Sequence, residues 1–160
     1  MIRVLFVCHG NICRSPMAEF VMKNMVKERG LEDEFLIESA AISDEECWNG
    51  IGNPIYPPAK AELIRHGIGV AGNELGVSEK RARQIRRADY DKWDYLIGME
   101  SHHLNGMKRI LGNDPEGKIC LLMDFTDHPE NINDPWYSGD FEGVYRQISE
   151  GCEGLLNRLS

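Results

Sequence analysis

The chain has 160 residues, 42% hydrophobic and 28% charged, which suits one globular domain, spanning 1–160, with a real core. A net charge of -8 speaks against a general nucleic-acid or membrane surface. No apolar stretch approaches the roughly 20 residues of a membrane span. The short apolar run at the start lacks the charged leader and cleavage site of a signal peptide, so a cytoplasmic location is expected. Cys8, Cys13, Cys47, Cys120 and Cys152 are odd in number and show no CxxC spacing, which disfavours a disulfide framework or a zinc knuckle.

The first element, Ile2 to Val7, is an unbroken β-favouring run of the kind found in parallel strands covered on both faces. "SPMAEFVMKNMVKERG" follows as a helix: Ser15 is placed to cap, Pro16 suits the first turn, Glu19 suits the positive end of the dipole, and Gly30 stops it. Phe35 to Ala41 reads as a second strand. After a Gly/Pro-rich loop, a short helix is expected from about Pro58 to His66. Gly69, Gly72 and Gly76 then suggest a flexible excursion, and the basic run "KRARQIRR" from Lys80 reads as a solvated helix face. Asp94 to Met99 and Lys118 to Met123 supply two more strands, and "DFEGVYRQISEGCEGLLNRL" closes the chain as an amphipathic helix. Strands alternating with helices predict an open, doubly wound α/β domain with a parallel sheet and helices on both faces. In such sheets ligands bind at the carboxyl ends of the strands, where Cys8 lies.

The segment "CHGNICRS" explains what that position is for. Five residues between strand end and helix start can turn successive N–H groups into one concavity, backed by the positive end of the helix dipole. Such a cup binds a tetrahedral oxyanion. Gly10 permits unusual backbone angles, Asn11 tolerates a left-handed conformation, and Arg14 offers a planar fork for two phosphate oxygens. Cys8 sits at the bottom. A free thiol ionises near pH 8.5, but a helix N-terminus and nearby cations lower this to roughly 3.5 to 7.5, which favours a thiolate nucleophile. Ser15 can donate a hydrogen bond to that thiolate.

"VCHGNICRSPMAE" resembles the signature of the low-molecular-weight protein tyrosine phosphatases. "SAA", "GNPIYPPA", "HGI", "ARQI", "DYLIGM" and "DPWY" extend the resemblance in order along nearly the whole chain. It implies a four-stranded parallel sheet with the phosphate-binding loop after the first strand. It also implies a two-step hydrolysis of phosphotyrosine, in a protein or a small aryl phosphate, through a cysteinyl phosphate, releasing inorganic phosphate without a metal or organic cofactor. By the same resemblance Cys8 is the nucleophile, Arg14 binds the phosphoryl oxygens, and Asp134, stiffened by Pro135, is the proton donor to the leaving phenol. Trp136 and Tyr137 look like one aromatic wall of the pocket and Trp48 like the other, with His9 and Ile12 lining the cup. Ser39 and His66 match positions that hydrogen-bond the loop asparagine, here Asn11, and Cys13 matches a residue that can trap Cys8 as a reversible disulfide. Three rival functions are separable. Protein arginine phosphatases resemble this signature with threonine where Ile12 stands. Arsenate reductases of this fold need two further, closely spaced cysteines. A catalytically inactive oxyanion-binding module would not need Cys8, Arg14 and Asp134 together.

Overall fold

The computed structural model describes residues 1–47 and 50–160. Its centre is a four-stranded parallel sheet in the order β2-β1-β3-β4, formed by β1 (Ile2–Cys8), β2 (Phe35–Ala41), β3 (Tyr95–Gly98) and β4 (Ile119–Leu121). Strands pair in parallel only when a crossover returns the chain, and here each crossover contains helix. Helix α1 (Arg14–Glu28) links β1 to β2; α2 (Pro57–Arg65) and the short α3 (Asp89–Lys92) precede β3; α4 (Ser101–Leu111) links β3 to β4. The four-residue α5 (Pro135–Ser138) and the long α6 (Phe141–Leu159) finish the chain.

Alternate residues of β1 serve two separate cores. Val4 and Phe6 pack with Met17, Phe20, Leu63, Ile148 and Leu155 of α1, α2 and α6, whereas Leu5 and Val7 pack with Trp93, Met107 and Leu111 on the α3 and α4 side. Both faces are therefore covered, which is why β1 reads as a continuous apolar run rather than an alternation. Each fully buried Leu, Phe or Met contributes about 1.5–3 kcal/mol relative to exposure, so the two-sided strand is a main source of stability.

Most predicted elements appear within one to three residues of their expected bounds. Three expectations change. Helix α4 was not anticipated, because "SHHLNGMKRIL" carries a glycine at its centre. Gly106 is required there: a Cβ would lie 2.8 Å from Ile42 Cγ2, so only glycine lets the helix approach the end of β2. The basic run is not a helix face. Residues 80–86 run extended beside β2, with Ala41 N donating to Arg83 O at 2.7 Å and Ile85 N to Ala41 O at 2.8 Å, and Arg87 enters the turn before α3. Ala82 and Ile85 are buried while Arg81, Arg86 and Arg87 are exposed, so the apolar side chains of the segment face the body of the protein and its arginines face solvent. The glycine-rich excursion is a series of tight turns pinned to α1, where Lys27 Nζ donates to Asn73 Oδ1 at 3.0 Å and Asn73 Nδ2 to Asn24 Oδ1 at 2.9 Å.

In this strand order the chain leaves β1 first toward β2 and later crosses to β3 on the other side. The crevice at the carboxyl end of β1 is thus the switch point at which such sheets bind ligands.

Candidate active site

Cys8 ends β1 at that crevice, 4% exposed, and residues 9–13 carry the chain from its Sγ to the first turn of α1. Four carbonyls of this stretch are spent on the protein body. Cys8 O accepts from Ile42 N at 3.0 Å, His9 O from Ser43 N at 3.0 Å, Ile12 O from Tyr56 N at 2.9 Å and Cys13 O from Met17 N at 3.0 Å. A trans peptide points its N–H opposite its C=O. The N–H groups of Gly10, Cys13 and Arg14 are therefore turned away from those partners, and the residues that carry them line a cavity of about 250 Å³. The first-turn N–H groups of α1 likewise have no intrahelical acceptor. This is the cup expected from the sequence, with one change in how it is made. Asn11, at φ 60, takes the left-handed conformation, whereas Gly10 does not; at Gly10 a Cβ would lie 3.2 Å from Glu46 Cγ, a tight contact that glycine avoids.

Ser15 was expected to cap α1. The helix instead starts at Arg14, with Cys13 at the N-cap making no side-chain cap, and the Ser15 hydroxyl points back to Cys8 Sγ at 3.0 Å. The thiol thus claims the group that would have capped the helix, which agrees with the donor role read from the sequence. Asn11 N also donates to Cys8 Sγ, at 3.3 Å. Cys13, 6% exposed, lines the same cavity. Burial pushes its thiol well above the ordinary range, reinforced by the nearby Cys8 and Asp134, so Cys13 is held protonated.

Arg14 is 2% exposed, yet its guanidinium reaches the cavity wall. Nη1 donates to Glu100 Oε1 and, at 2.7 Å, to Ile132 O, and Nη2 lies 3.6 Å from Asp134 Oδ2. Glu100 is a residue that sequence reasoning missed. It lies two residues beyond the end of β3 and is fixed by a reciprocal cap in which its side chain accepts from the His103 backbone and His103 Nδ1 accepts from Glu100 N at 3.1 Å. The available signal was an acid at the carboxyl end of a parallel strand. His103 is fully buried, and burial, with the Arg14 charge adding, pushes its pKa down to about 3, which keeps the ring neutral and Nδ1 an acceptor.

Asp134 is the N-cap of α5. Its Oδ1 accepts from Trp136 N at 3.0 Å, leaving Oδ2 toward Arg14 and the cavity. Trp136 leans on Tyr56 with ring centroids 4.6 Å apart, and Tyr56 in turn on Phe141, which props up the aromatic wall. Tyr137 lines the mouth but is 86% exposed. The facing wall carries Glu45 and Glu46, with His9 Nε2 3.3 Å from Glu45 Oε1. Asn53 fixes Glu46 by donating from Nδ2 to Oε1 at 3.0 Å and from N to its carbonyl at 2.8 Å. Trp48, expected on this side, falls outside the described residues.

Of the two supports expected beneath the loop, Ser39 is in place: its Oγ accepts from Asn11 Nδ2 at 2.9 Å. His66 is not. It terminates α2, which packs on α6, and its ring stacks on Tyr145 at 3.7 Å while Nε2 meets Glu62 Oε2 at 2.9 Å. The oxygen of the Asn11 amide is met by Arg83 N instead, at 3.2 Å.

Among the described residues, two side-chain groups have ligand atoms close enough together for a metal ion: Glu100, His102 and His103 beside the cavity, and the exposed Asp127, His128 and Glu150. In the first, His103 Nδ1 accepts from Met99 N and Glu100 N, and Glu100 Oε1 holds Arg14, so those two atoms are already engaged. No helix among the described residues is long and apolar enough to cross a membrane.

Comparison with known proteins agrees with this geometry. Residues 3–160 match the family model described as low molecular weight phosphotyrosine protein phosphatase. The low molecular weight protein-tyrosine-phosphatase YfkJ of Bacillus subtilis is 37% identical over 158 residues, covering 98% of this chain and 94% of its own. The pig low molecular weight phosphotyrosine protein phosphatase is also 37% identical, over 162 residues, with the same coverage. The crystal structure of YfkJ superposes with a TM-score of 0.87 over 99% of this chain and 94% of that one. That of a Drosophila arginine phosphatase superposes with a TM-score of 0.82 at 28% identity, over 100% and 98%. The chain belongs to the low molecular weight phosphotyrosine protein phosphatase family.

Proposed function

We propose that this chain, as a single phosphatase domain over 1–160, hydrolyses phosphotyrosine monoesters through a cysteinyl-phosphate intermediate. The observation that carries this reading is one cavity with Cys8 at its base, Arg14 and the loop in its wall, and Asp134 at its mouth. The phosphoryl group seats against the loop N–H groups and the Arg14 guanidinium, which neutralise its equatorial oxygens. Cys8 Sγ attacks phosphorus; the S–P bond forms as the bond to the phenolic oxygen breaks, and Asp134 protonates that oxygen. General acid catalysis of this kind contributes roughly 10²- to 10⁴-fold. Asp134, now ionised, takes a proton from water as the water attacks phosphorus. Inorganic phosphate leaves and Cys8 returns as a thiolate stabilised by Ser15. Every proton in this cycle is handled by Asp134, so the residues described supply the chemistry without a cofactor. The substrate is a phosphotyrosine protein or a small aryl phosphate, and the setting is cytoplasmic.

A second reading, hydrolysis of phosphoarginine, has one observation in its favour. Glu46, held against the loop by Asn53, puts a carboxylate in the wall where a guanidinium would pass. Ile12 and the propped Trp136 favour the aromatic ester instead. Parallel hydrolysis of phosphotyrosine, phosphoserine and phosphoarginine peptides by wild type and Ile12→Thr decides between them. Preference for phosphotyrosine, moved toward phosphoarginine by the substitution, supports the first reading; a wild-type preference for phosphoarginine replaces it. In the same assay Cys8→Ser loses at least about 10⁴-fold in kcat with either substrate, and retained hydrolysis would end both readings.

A further inference from the structure

The segment between β4 and Asp134 is held close against α6. Gly154 is required at the contact, because a Cβ there would run into Phe125 O, and Gly151 leaves room in the same way for Leu122. Thr126 fixes the next turn: its Oγ1 donates to Met123 O at 2.7 Å and accepts from His128 N at 3.3 Å. The His128 imidazole is thereby set against the side chain of Glu150 on α6.

Three carboxylates surround that ring. Nδ1 lies 3.1 Å from Glu130 Oε1, while Nε2 lies 2.5 Å from Glu150 Oε2 and 3.8 Å from Asp127 Oδ1. A neutral imidazole carries one N–H and serves a carboxylate at one nitrogen only; at the other, a lone pair faces the lone pairs of oxygen. A cation at Nε2 removes that conflict. A proton is one such cation, and the hydrogen bonds with Glu150 and then Glu130 push the pKa of His128 above the ordinary histidine value. Even so, one imidazolium against three carboxylates leaves two negative charges unmatched, and among the described residues no lysine or arginine pairs with Asp127, Glu130 or Glu150.

A divalent ion in place of the proton suits the arrangement better. Ligand atoms of Asp127, His128 and Glu150 all lie within 4.8 Å of one another. Two donors on one tetrahedral zinc stand about 3.3 Å apart, so the two Nε2 to oxygen gaps need change by less than about 1 Å, which rotation of exposed side chains supplies. Glu130 occupies the place of the carboxylate that metal-bound histidines hold on their other nitrogen: it accepts the Nδ1 hydrogen and leaves the Nε2 lone pair toward the other two acids. An imidazole in the set selects zinc over magnesium and calcium, which take oxygen ligands.

We propose that Asp127, His128 and Glu150 form a zinc site, with Glu130 orienting His128 and water completing the coordination. The ion staples this segment to α6. The same segment continues through Asn131, whose Oδ1 accepts from Ser101 N at 2.9 Å, and Ile132, whose O accepts from Arg14 Nη1, to Asp134. The test is calorimetric titration of zinc chloride, and separately of magnesium chloride, into the full chain carrying Cys8→Ser, which removes the cavity thiol as a rival zinc ligand. One zinc per chain and no magnesium are expected to bind, and zinc raises the thermal midpoint. Glu130→Gln weakens zinc binding by about 10- to 100-fold; His128→Gln and Glu150→Gln, which remove ligands, weaken it further and abolish the thermal shift. Circular dichroism checks that each variant is folded, and either ligand variant suffices if the other is not. A Kd for zinc above about 1 mM, or an unchanged Kd in a folded His128→Gln or Glu150→Gln, overturns the site. Equal affinity for magnesium overturns the assignment to zinc, and an unchanged Kd in Glu130→Gln overturns its orienting role. Because the titrated chain lacks the Cys8 thiol, no outcome depends on the proposed hydrolysis.

Discussion

Beneath the phosphate loop, Asn11, Ser15, Ser39 and Glu19 are at most 4% exposed and hydrogen-bond one another in a closed sequence. At its mouth, Trp136 is 54% and Tyr137 86% exposed, and His9 meets Glu45 across open solvent. The two regions share Cys8 and Arg14 but are built for different tasks. An interior network of satisfied polar groups has one arrangement, because any other leaves a buried donor or acceptor unpaired. A solvated rim has several of similar energy, because water replaces whatever contact is lost. The underside therefore sets how the phosphoryl group is handled, and the mouth sets what it is attached to.

That division can be broken by single substitutions. Asp134 belongs to both regions, and Asp134→Ala should lower kcat for an aryl phosphate by roughly 10²- to 10⁴-fold, with inhibition by inorganic phosphate changed only slightly; parallel losses in both would mean that Asp134 shapes the cup rather than moving protons. His103 tests the underside through pH. Its folded-state pKa, about 3, lies below the unfolded value near 6.5, so protonation favours the unfolded chain. Its contribution to stability is intact above about pH 6.5 and declines as pH falls toward 3. Urea denaturation should show a loss on the order of 2 kcal/mol between pH 6.5 and 4 in wild type that is reduced in His103→Gln. Gly106→Ala forces a methyl toward Ile42, whose N–H bonds the Cys8 carbonyl, and should cost about 1–3 kcal/mol with a measurable fall in kcat. The smallest effect belongs to the rim. Tyr137→Ala should raise KM for phosphotyrosine peptides by a few-fold, the equivalent of about 1 kcal/mol, with kcat almost unchanged. A fall in kcat there equal to that of Gly106→Ala would erase the distinction.

What the sequence revealed follows the same physical boundary. The strand, cup and helix from Ile2 to Glu28 were legible because their determinants are consecutive: an apolar run, a loop of small and polar residues, and a helix start. Asp134 was legible only through family order, since Asp-Pro alone specifies a turn. Glu100 and Glu46 were not found. Glu46 sits 36 residues from Gly10 and Glu100 86 residues from Arg14, and only the tertiary fold brings them there. Glu19 was placed correctly at the start of α1 but read as a dipole partner; burial against Ser39 gives it another use. His66 shows the converse error, in which a residue type at an expected position was assigned to the loop although α2 carries it to the surface of α6.

The strand order has a further consequence for the order of assembly. β1 precedes β2, β3 and β4 along the chain, and it occupies an interior position in the sheet between β2 and β3. Cys8 and Arg14 therefore exist as sequence long before Glu100, Ile132 and Asp134, which hold or complete them. A chain still emerging has the thiol and the guanidinium but neither the carboxylate that orients the guanidinium nor the acid proposed to serve the leaving group. The cavity is thus complete only when Glu100, Ile132 and Asp134 have come to Arg14 at the end of the sheet, and a chain that stops short of them lacks both carboxylates.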